Sequence, residues 1–210
     1  MLYTCDKCGK VRADKIIDPE HNLAICPECG YSKPFKCVPL FAVGGACGTG
    51  KTAICKAIAG RLDRVIAIEG DSLWDMKRFS PFSPEEYFEY ALRVAMNISQ
   101  SGVLVAFFHS GFGIPGNLEN CVARRYFSEI HYLGLYCSDQ EIERRLYQRP
   151  SLRGESGRLF VDTMKGFNSV FRYYDSDNTA YPHVDKIDTS DISLEEATAL
   201  VESWIKSRIR

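Results

Sequence analysis

Eight residues, Gly45-Ala46-Cys47-Gly48-Thr49-Gly50-Lys51-Thr52, constrain the fold of this chain more than any others. They fit the pattern G-x-x-x-x-G-K-[ST]. The apolar run Pro39-Leu40-Phe41-Ala42-Val43 precedes them and reads as a buried strand. Thr52 to Ala59 follows and reads as a helix with Ile54, Ile58 and Leu62 on one face. Glycines at 45, 48 and 50 let the backbone turn tightly and bring its N–H groups close to a phosphate. With the positive end of the helix, those donors form an anion cradle. The whole stretch from Gly45 through Ala46, Cys47, Gly48, Thr49 and Gly50 is expected to wrap the phosphates of ATP. Lys51 is expected to reach the β- and γ-phosphates and the Thr52 hydroxyl to hold Mg²⁺.

The chain has 210 residues, enough for one ordinary domain and a small appendage. A net charge of −1 does not favour nucleic acid as a partner, since such proteins carry a basic excess. No apolar run approaches the ~20 residues of a membrane span. The first residues, Met1 to Asp6, lack the apolar core of a signal peptide. Nine cysteines without an export signal point to reduced thiols and metal, so a cytoplasmic location is expected.

Residues 1–37 differ from the rest. Cys5-Asp6-Lys7-Cys8 and Cys26-Pro27-Glu28-Cys29 are two C-x-x-C pairs, each followed by glycine, at the spacing of a zinc ribbon. Cys5, Cys8, Cys26 and Cys29 would supply four thiolates to a tetrahedral Zn²⁺ with no open position, a structural metal. A segment this short has little core, so the metal would supply its folding free energy. Ribbon strands are expected at Val11 to Ile17 and Asn22 to Ile25, and a linker at Lys33-Pro34-Phe35-Lys36. Cys37 reads as an ordinary buried thiol.

From residue 38 on, predicted strands and helices alternate, which implies a parallel sheet covered on both faces. Further strands are expected at Val65–Ile68, Val103–Phe108, Tyr132–Tyr136 and Lys186–Asp188. Capping boxes mark helix starts at Ser83/Glu86, Ser138/Glu141 and Ser193/Glu196. Two amphipathic helices are expected to pack on the sheet: residues 156–175, and a final helix whose stripe is Leu194, Ala197, Leu200, Val201 and Trp204.

Ligands of an open α/β sheet lie beyond the carboxyl ends of its strands. The second predicted strand ends in Glu69-Gly70-Asp71-Ser72-Leu73-Trp74, which would bring two acids to the phosphate loop. Asp71 is the candidate base for an acceptor hydroxyl. Glu69 is the candidate for a water-mediated Mg²⁺ contact or for substrate hydrogen bonds. Capping of the next helix by Asp71 or Ser72 is the structural alternative. The third strand ends without an acid, in His109-Ser110-Gly111, which argues against motor and switch nucleotidases. His109 is open between a substrate contact and a structural role. Trp74, Phe79, Phe82 and Tyr87 are open between acceptor pocket and core. Arg78, Arg93 and Arg124 could grip an acceptor phosphate. Around 145–157 a basic helix breaks at Arg149-Pro150 and runs to Arg153, the look of a lid. Arg149 and Arg153 are expected to close over the phosphates. Arg145 is open between the lid and a surface pair with Glu141.

With these residues in place, residues 39–210 resemble the small P-loop kinases: nucleoside and nucleotide kinases, shikimate and gluconate kinases, and chloramphenicol phosphotransferase. The last is similar through its Asp-Ser-Leu after the second strand, here Asp71-Ser72-Leu73, whose Asp acts as base. The resemblance implies an α/β fold with a five-stranded parallel sheet in order 2-3-1-4-5, a lid, and ATP as donor to a small hydroxyl acceptor. The acceptor is open between a nucleoside, a nucleotide and an antibiotic-type alcohol. The zinc ribbon departs from most such kinases and leaves room for a homo-oligomer. The rival expectation is an ATP-binding regulatory or nucleic-acid-associated module docked through the ribbon.

Overall fold

A computed structural model describes residues 2–74, 83–152, 155–175, 177 and 180–209. The first layer is a three-stranded antiparallel sheet: β1 (Ile16–Asp18), β2 (Leu23–Ile25) and β3 (Ser32–Pro34). The rest alternates as β4 (Val38–Gly45), α1 (Lys51–Ile58), β5 (Val65–Glu69), α2 (Asp71–Trp74), α3 (Pro84–Ser99), β6 (Leu104–Phe108), α4 (Pro115–Glu119), β7 (Phe127–Tyr136), α5 (Asp139–Tyr147), α6 (Glu155–Arg172), β8 (Val184–Asp188) and α7 (Leu194–Lys206). β4 to β8 form one parallel sheet in the order β5-β6-β4-β7-β8. Counted from the strand that enters the phosphate loop, that is 2-3-1-4-5. Among the described residues no helix is long and apolar enough to cross a membrane.

β4 lies at the centre because both of its faces are apolar. Side chains alternate along a strand. Leu40 and Ala42 join a core with Leu92 and Met96 of α3, and Phe41 and Val43 join a core with Ile54 and Ile58 of α1 and Val201 of α7. All four β4 residues are fully buried. The two helix faces answer the strand's alternation, and the pairing with β6 on one side and β7 on the other fixes where the loop after β4 emerges. Ile54, Ile58 and Leu62 are buried together as their spacing requires. In α7, Ala197, Val201 and Trp204 face the sheet, while Leu194 and Leu200 are about half exposed. Their positions fall on the stripe's margin, where a helix of this length stays wet. Val170 of α6 is likewise exposed, while Phe171 is buried against Gly134.

Capping follows the sequence with one exception. Ser83/Glu86 and Ser193/Glu196 are reciprocal boxes. Ser138 accepts from the Glu141 amide, but the Glu141 carboxylate binds Arg144 and Arg145 instead of closing the box. Charged partners outcompete a single backbone N–H for a carboxylate.

The N-terminal sheet differs from the sequence reading. Only Ile16 and Ile17 of the first expected strand are in β1, and Val11 makes an isolated bridge to Thr4. The expected linker is instead β3 followed by Phe35, which is buried edge-on to Tyr126 with ring centroids 6.0 Å apart. Leu2 and Ala24 enter the same core as α3. Polar contacts tie the small sheet down further. The Tyr126 hydroxyl donates to Ala13 O at 2.6 Å, and the Gln100 amide both accepts from Lys36 N and donates to Lys36 O.

Gly44 shows how tightly the central strand is held. A Cβ placed there would lie 2.2 Å from the Gly113 amide nitrogen, backbone that a rotamer change cannot clear. Gly44→Ala is expected to lower stability by about 1–3 kcal/mol in urea unfolding, the usual cost of overpacking. A midpoint equal to that of the wild type would show that the β4 and β6 ends are not in such contact.

Candidate active site

The loop after β4 turns on Gly45, Gly48 and Gly50, all with left-handed φ of 148°, 97° and 97°. At Gly45 a Cβ would lie 2.5 Å from Leu135 O of β7, so the loop starts flush against the neighbouring strand. Its carbonyls are held from outside. Arg145 Nη1 donates to Gly48 O at 3.1 Å, and the Thr189 hydroxyl donates to Thr49 O at 3.1 Å. In a trans peptide the C=O and the following N–H point opposite ways. Fixing these two carbonyls outward turns the Thr49 and Gly50 amides inward. Arg145 and Thr189 are themselves joined, Nη2 to Thr189 O at 2.6 Å.

Inside the loop, three donors converge on one acceptor. Lys51 Nζ and Thr49 Oγ1 each reach Ala46 O at 2.9 Å, and the Thr49 amide approaches it at 3.3 Å. Burial pushes the Lys51 ammonium down from its ordinary pKa, with Asp71 and Glu69 pulling back up and Arg149 adding to the fall. A bound polyanion would reverse this by supplying the counter-charge.

The acids come from the end of β5. Gly70 is pinned there: its N–H donates to Phe108 O at 2.8 Å and its carbonyl accepts from the Tyr87 hydroxyl at 2.9 Å. Asp71 opens α2 and leaves its side chain about 72% exposed toward the crevice. Its Oδ1 lies 3.8 Å from His109 Nε2, at the end of β6. Trp74 packs edge-on to Tyr87 at 5.1 Å. Tyr87 belongs to the buried core, which settles one of the open aromatics; Phe79 and Phe82 lie outside the described residues.

The structure thus brings Glu69, Asp71 and Arg149 each within electrostatic range of Lys51. Arg149 follows α5 and is exposed. Arg153 lies outside the described residues. Arg145 is more than a surface partner of Glu141: its 2.7 Å pair with Glu141 orients a guanidinium whose other nitrogens serve the loop. Arg93 and Arg124 are bound elsewhere, Arg93 to Glu89 and over the Tyr3 ring, Arg124 to Glu119 and Phe127 O; Arg78 lies outside the described residues. Sequence reasoning missed Thr189. Its only signal was its place just past the carboxyl end of the last strand. Beside the clasp lies a cleft of about 320 Å³, lined by Thr49, Gly50, Arg144, Thr189, Ile192 and Leu194 among others.

The four ribbon cysteines form a second candidate site. Their sulfurs all lie within 4.8 Å of one another, with Cys5–Cys29 at 3.6 Å and Cys8–Cys26 at 3.8 Å. A tetrahedron with metal–sulfur arms of about 2.3 Å has edges of about 3.8 Å. The two knuckles match: Gly9 N donates to Cys5 O and Gly30 N to Cys26 O, both at 2.9 Å, with φ of 70° and 68° at the two glycines. The Cys8 amide pulls the Cys5 thiol down to about 6, while against the Tyr31 amide burial and the neighbouring sulfurs push Cys29 up to about 11, so the four thiols share charge unevenly. Lys15 is buried, and its Nζ has no hydrogen-bond partner among the described residues. It lines a small cavity with Cys5, Cys26 and Asp6. Asp6, whose carboxyl is held low by Lys33 first and by Lys15 in smaller part, is a nearby charge of opposite sign, but a buried ammonium with no hydrogen-bond acceptor is still costly. A divalent metal in four thiolates carries a net charge of about −2 and would add a counter-charge.

No protein-family model matches the chain, and no curated protein matches it. Solved structures do. The tunicamycin resistance protein of Deinococcus radiodurans superimposes with a TM-score of 0.57 at 15% identity, covering 81% of this chain and 96% of that one. The APS kinase of Mycobacterium tuberculosis, solved with AMPPNP and APS, gives 0.54 at 16% identity, covering 82% and 99%. A sugar kinase from Janibacter sp. gives 0.51 at 16% identity, covering 81% and 95%.

The outer clasp is open to a direct test. Thr189→Val removes the hydroxyl bridge to Thr49 O and is expected to weaken ATP binding about 5- to 10-fold in titration calorimetry, one hydrogen bond's worth, with Thr189→Ser restoring it. Equal affinity in all three proteins would show that the loop is oriented without the clasp. At these low identities the likeness is one of fold, and the chain has the fold of the small P-loop kinases.

Proposed function

We propose that this chain is an ATP-dependent kinase that transfers the γ-phosphate to a hydroxyl of a small acceptor. The observation that carries the reading is the convergence of Lys51, Thr49 Oγ1 and the Thr49 amide on one oxygen position, with Asp71 in range across the crevice. Lys51 and the amides of residues 45–52 bind the triphosphate. The base of the nucleotide fits the cleft beside Arg144 and Thr189. Thr52 offers a hard hydroxyl oxygen, with Glu69 opposite through water, for Mg²⁺, which supplies charge neutralisation when bound. Asp71 takes the proton of the attacking hydroxyl. Arg149 and Arg153, on a lid around 145–157, close over the phosphates.

The acceptor is narrowed by what the arginines do. A phosphate-bearing acceptor wants free guanidinium groups in its pocket. Of the three candidates for that task, Arg78 lies outside the described residues, while Arg93 and Arg124 are bonded to Glu89 and Glu119, and Arg93 faces Tyr3 of the ribbon. This favours an uncharged hydroxyl compound, a nucleoside or another alcohol, over a nucleoside monophosphate.

In this reading residues 1–37 are a structural zinc ribbon and 38–210 the catalytic unit, working in the cytoplasm. None of the nine cysteines is paired in a disulfide, which is compatible with a reducing compartment. The ribbon's sulfur spacing and its two matching knuckles support zinc.

Two measurements test these assignments. Screening nucleosides and antibiotic-like alcohols for acceptor-dependent ADP release is expected to find a substrate. With it, Asp71→Asn is expected to lower kcat at least about 100-fold while MgATP affinity stays within about 2-fold, the range for loss of a general base. An Asn variant as fast as the wild type would remove Asp71 from the chemistry. Elemental analysis is expected to find about one zinc per chain, and strong chelators to lower the melting temperature. A metal-free protein, indifferent to chelation, would end the zinc assignment.

A further inference from the structure

Among the described residues His109 is the one imidazole in the crevice, and its surroundings fix its chemistry. It follows β6 directly, with its amide bonded to Val43 O at 3.1 Å. The Gly111 N–H donates to its Nδ1 at 3.3 Å. A ring nitrogen that accepts carries no proton, so the proton of the neutral ring is on Nε2. Nε2 is the nitrogen that faces Asp71 Oδ1, 3.8 Å away. Aromatic rings hem the imidazole in: Tyr87 at 4.7 Å, Phe112 at 5.7 Å, Phe88 at 6.2 Å and Trp74 at 6.3 Å between centroids. The charged and titratable groups that face it are Lys51 from α1, Asp71 from the turn after β5 and Tyr87 from α3. Burial, aided by the Lys51 charge, pushes its pKa down to about 4.

We propose that His109 is a positioning residue for Asp71 and that the imidazole Nε2–H holds one carboxylate oxygen so that the other faces the acceptor. The proposal rests on the kinase reading. The 3.8 Å separation is longer than a hydrogen bond, but Asp71 is mostly exposed and small rotations of its side chain close the gap. In the step it serves, the acceptor oxygen forms a bond to the γ-phosphorus and its proton passes to the free oxygen of Asp71. The bond from phosphorus to the β–γ bridging oxygen breaks, and its electron pair leaves with ADP. His109 neither gains nor loses a proton. Neutrality matters for the base. An imidazolium at the same place would form an ion pair and strip the carboxylate of basicity, whereas a neutral N–H orients it at smaller cost.

Two arms test this, and the first needs no acceptor. Long-range ¹H–¹⁵N correlation spectra of histidine-labelled protein are expected to show His109 as the neutral Nε2–H tautomer from about pH 5.5 to about 8, far from the ordinary titration near 6.5. A ring that titrates near 6.5, or that carries its proton on Nδ1, overturns the proposal. The second arm uses the acceptor found by screening. His109→Leu is expected to lower kcat about 10- to 30-fold with both KM values within about 3-fold, while His109→Gln, whose amide N–H can reach the same oxygen, stays within about 3-fold of the wild type. A Gln variant as slow as the Leu variant, or a Leu variant as fast as the wild type, overturns the positioning role. If the wild type transfers phosphate to no acceptor, the kinase reading falls and with it the role in the step, while the spectra still decide the tautomer.

Discussion

The chain depends on one buried strand. β4 is paired on both edges and covered on both faces, with no exposure from Leu40 to Val43. A strand so enclosed cannot slip by one residue, because a slip would send Phe41 and Val43 to the α3 side and Leu40 and Ala42 to the α1 side. Register is therefore fixed, and with it the point at which the phosphate loop leaves the sheet. The same pairing lines up the ends of β5 and β6, so Glu69 and His109 arrive beside the loop. Catalytic geometry in such a sheet follows from strand order. The side chains that matter are carried on turns whose positions the core has already set.

The ribbon shows the opposite economy. Its three strands have three residues each, too few to enclose a core of their own. It gains stability in two ways. The four cysteines gather where a metal can cross-link two knuckles, and Leu2, Ala24 and Phe35 are buried in the core that α3 shares with the main sheet. α3 runs between both regions. Its Tyr87 touches the acid turn and His109, and its Arg93 faces Tyr3 of the ribbon. A metal that orders the ribbon therefore also braces the helix behind Asp71.

Much of this was legible in the sequence, for identifiable reasons. The phosphate loop announces itself because its glycines and Lys51 are dictated by backbone geometry and charge. The sheet order follows from alternating apolar runs joined by capped helices. The cysteine spacing marks the ribbon. What was not legible depends on packing between distant segments. Phe35 reads as a linker residue until Tyr126, far along the chain, closes over it. Arg145 reads as either a lid arginine or half of a helix pair until the loop after β8 brings Thr189 beside it. Arg93 and Arg124 look free until Glu89 and Glu119 fold against them. In each case the residue type was plain and its partner was not, since no local pattern encodes a long-range hydrogen bond.

The charges in the crevice bear on what it can bind. Lys51 and Arg149 contribute two positive charges, Glu69 and Asp71 two negative ones, so the described site is close to neutral. A bare triphosphate, with roughly four negative charges, would meet too little attraction there, and Asp71 would repel its outermost phosphate. A divalent cation bound with the nucleotide removes about half of that charge and gives Glu69 an electrostatic partner. In the proposed kinase the acids would then be part of the binding logic, setting the site against a naked polyanion and for a metal complex of it. Among the described residues Asp71 is left as an exposed carboxylate next to a neutral imidazole. A group in that setting can accept a proton from a hydroxyl without first losing an ion pair, which is the property a phosphoryl acceptor site requires of its base.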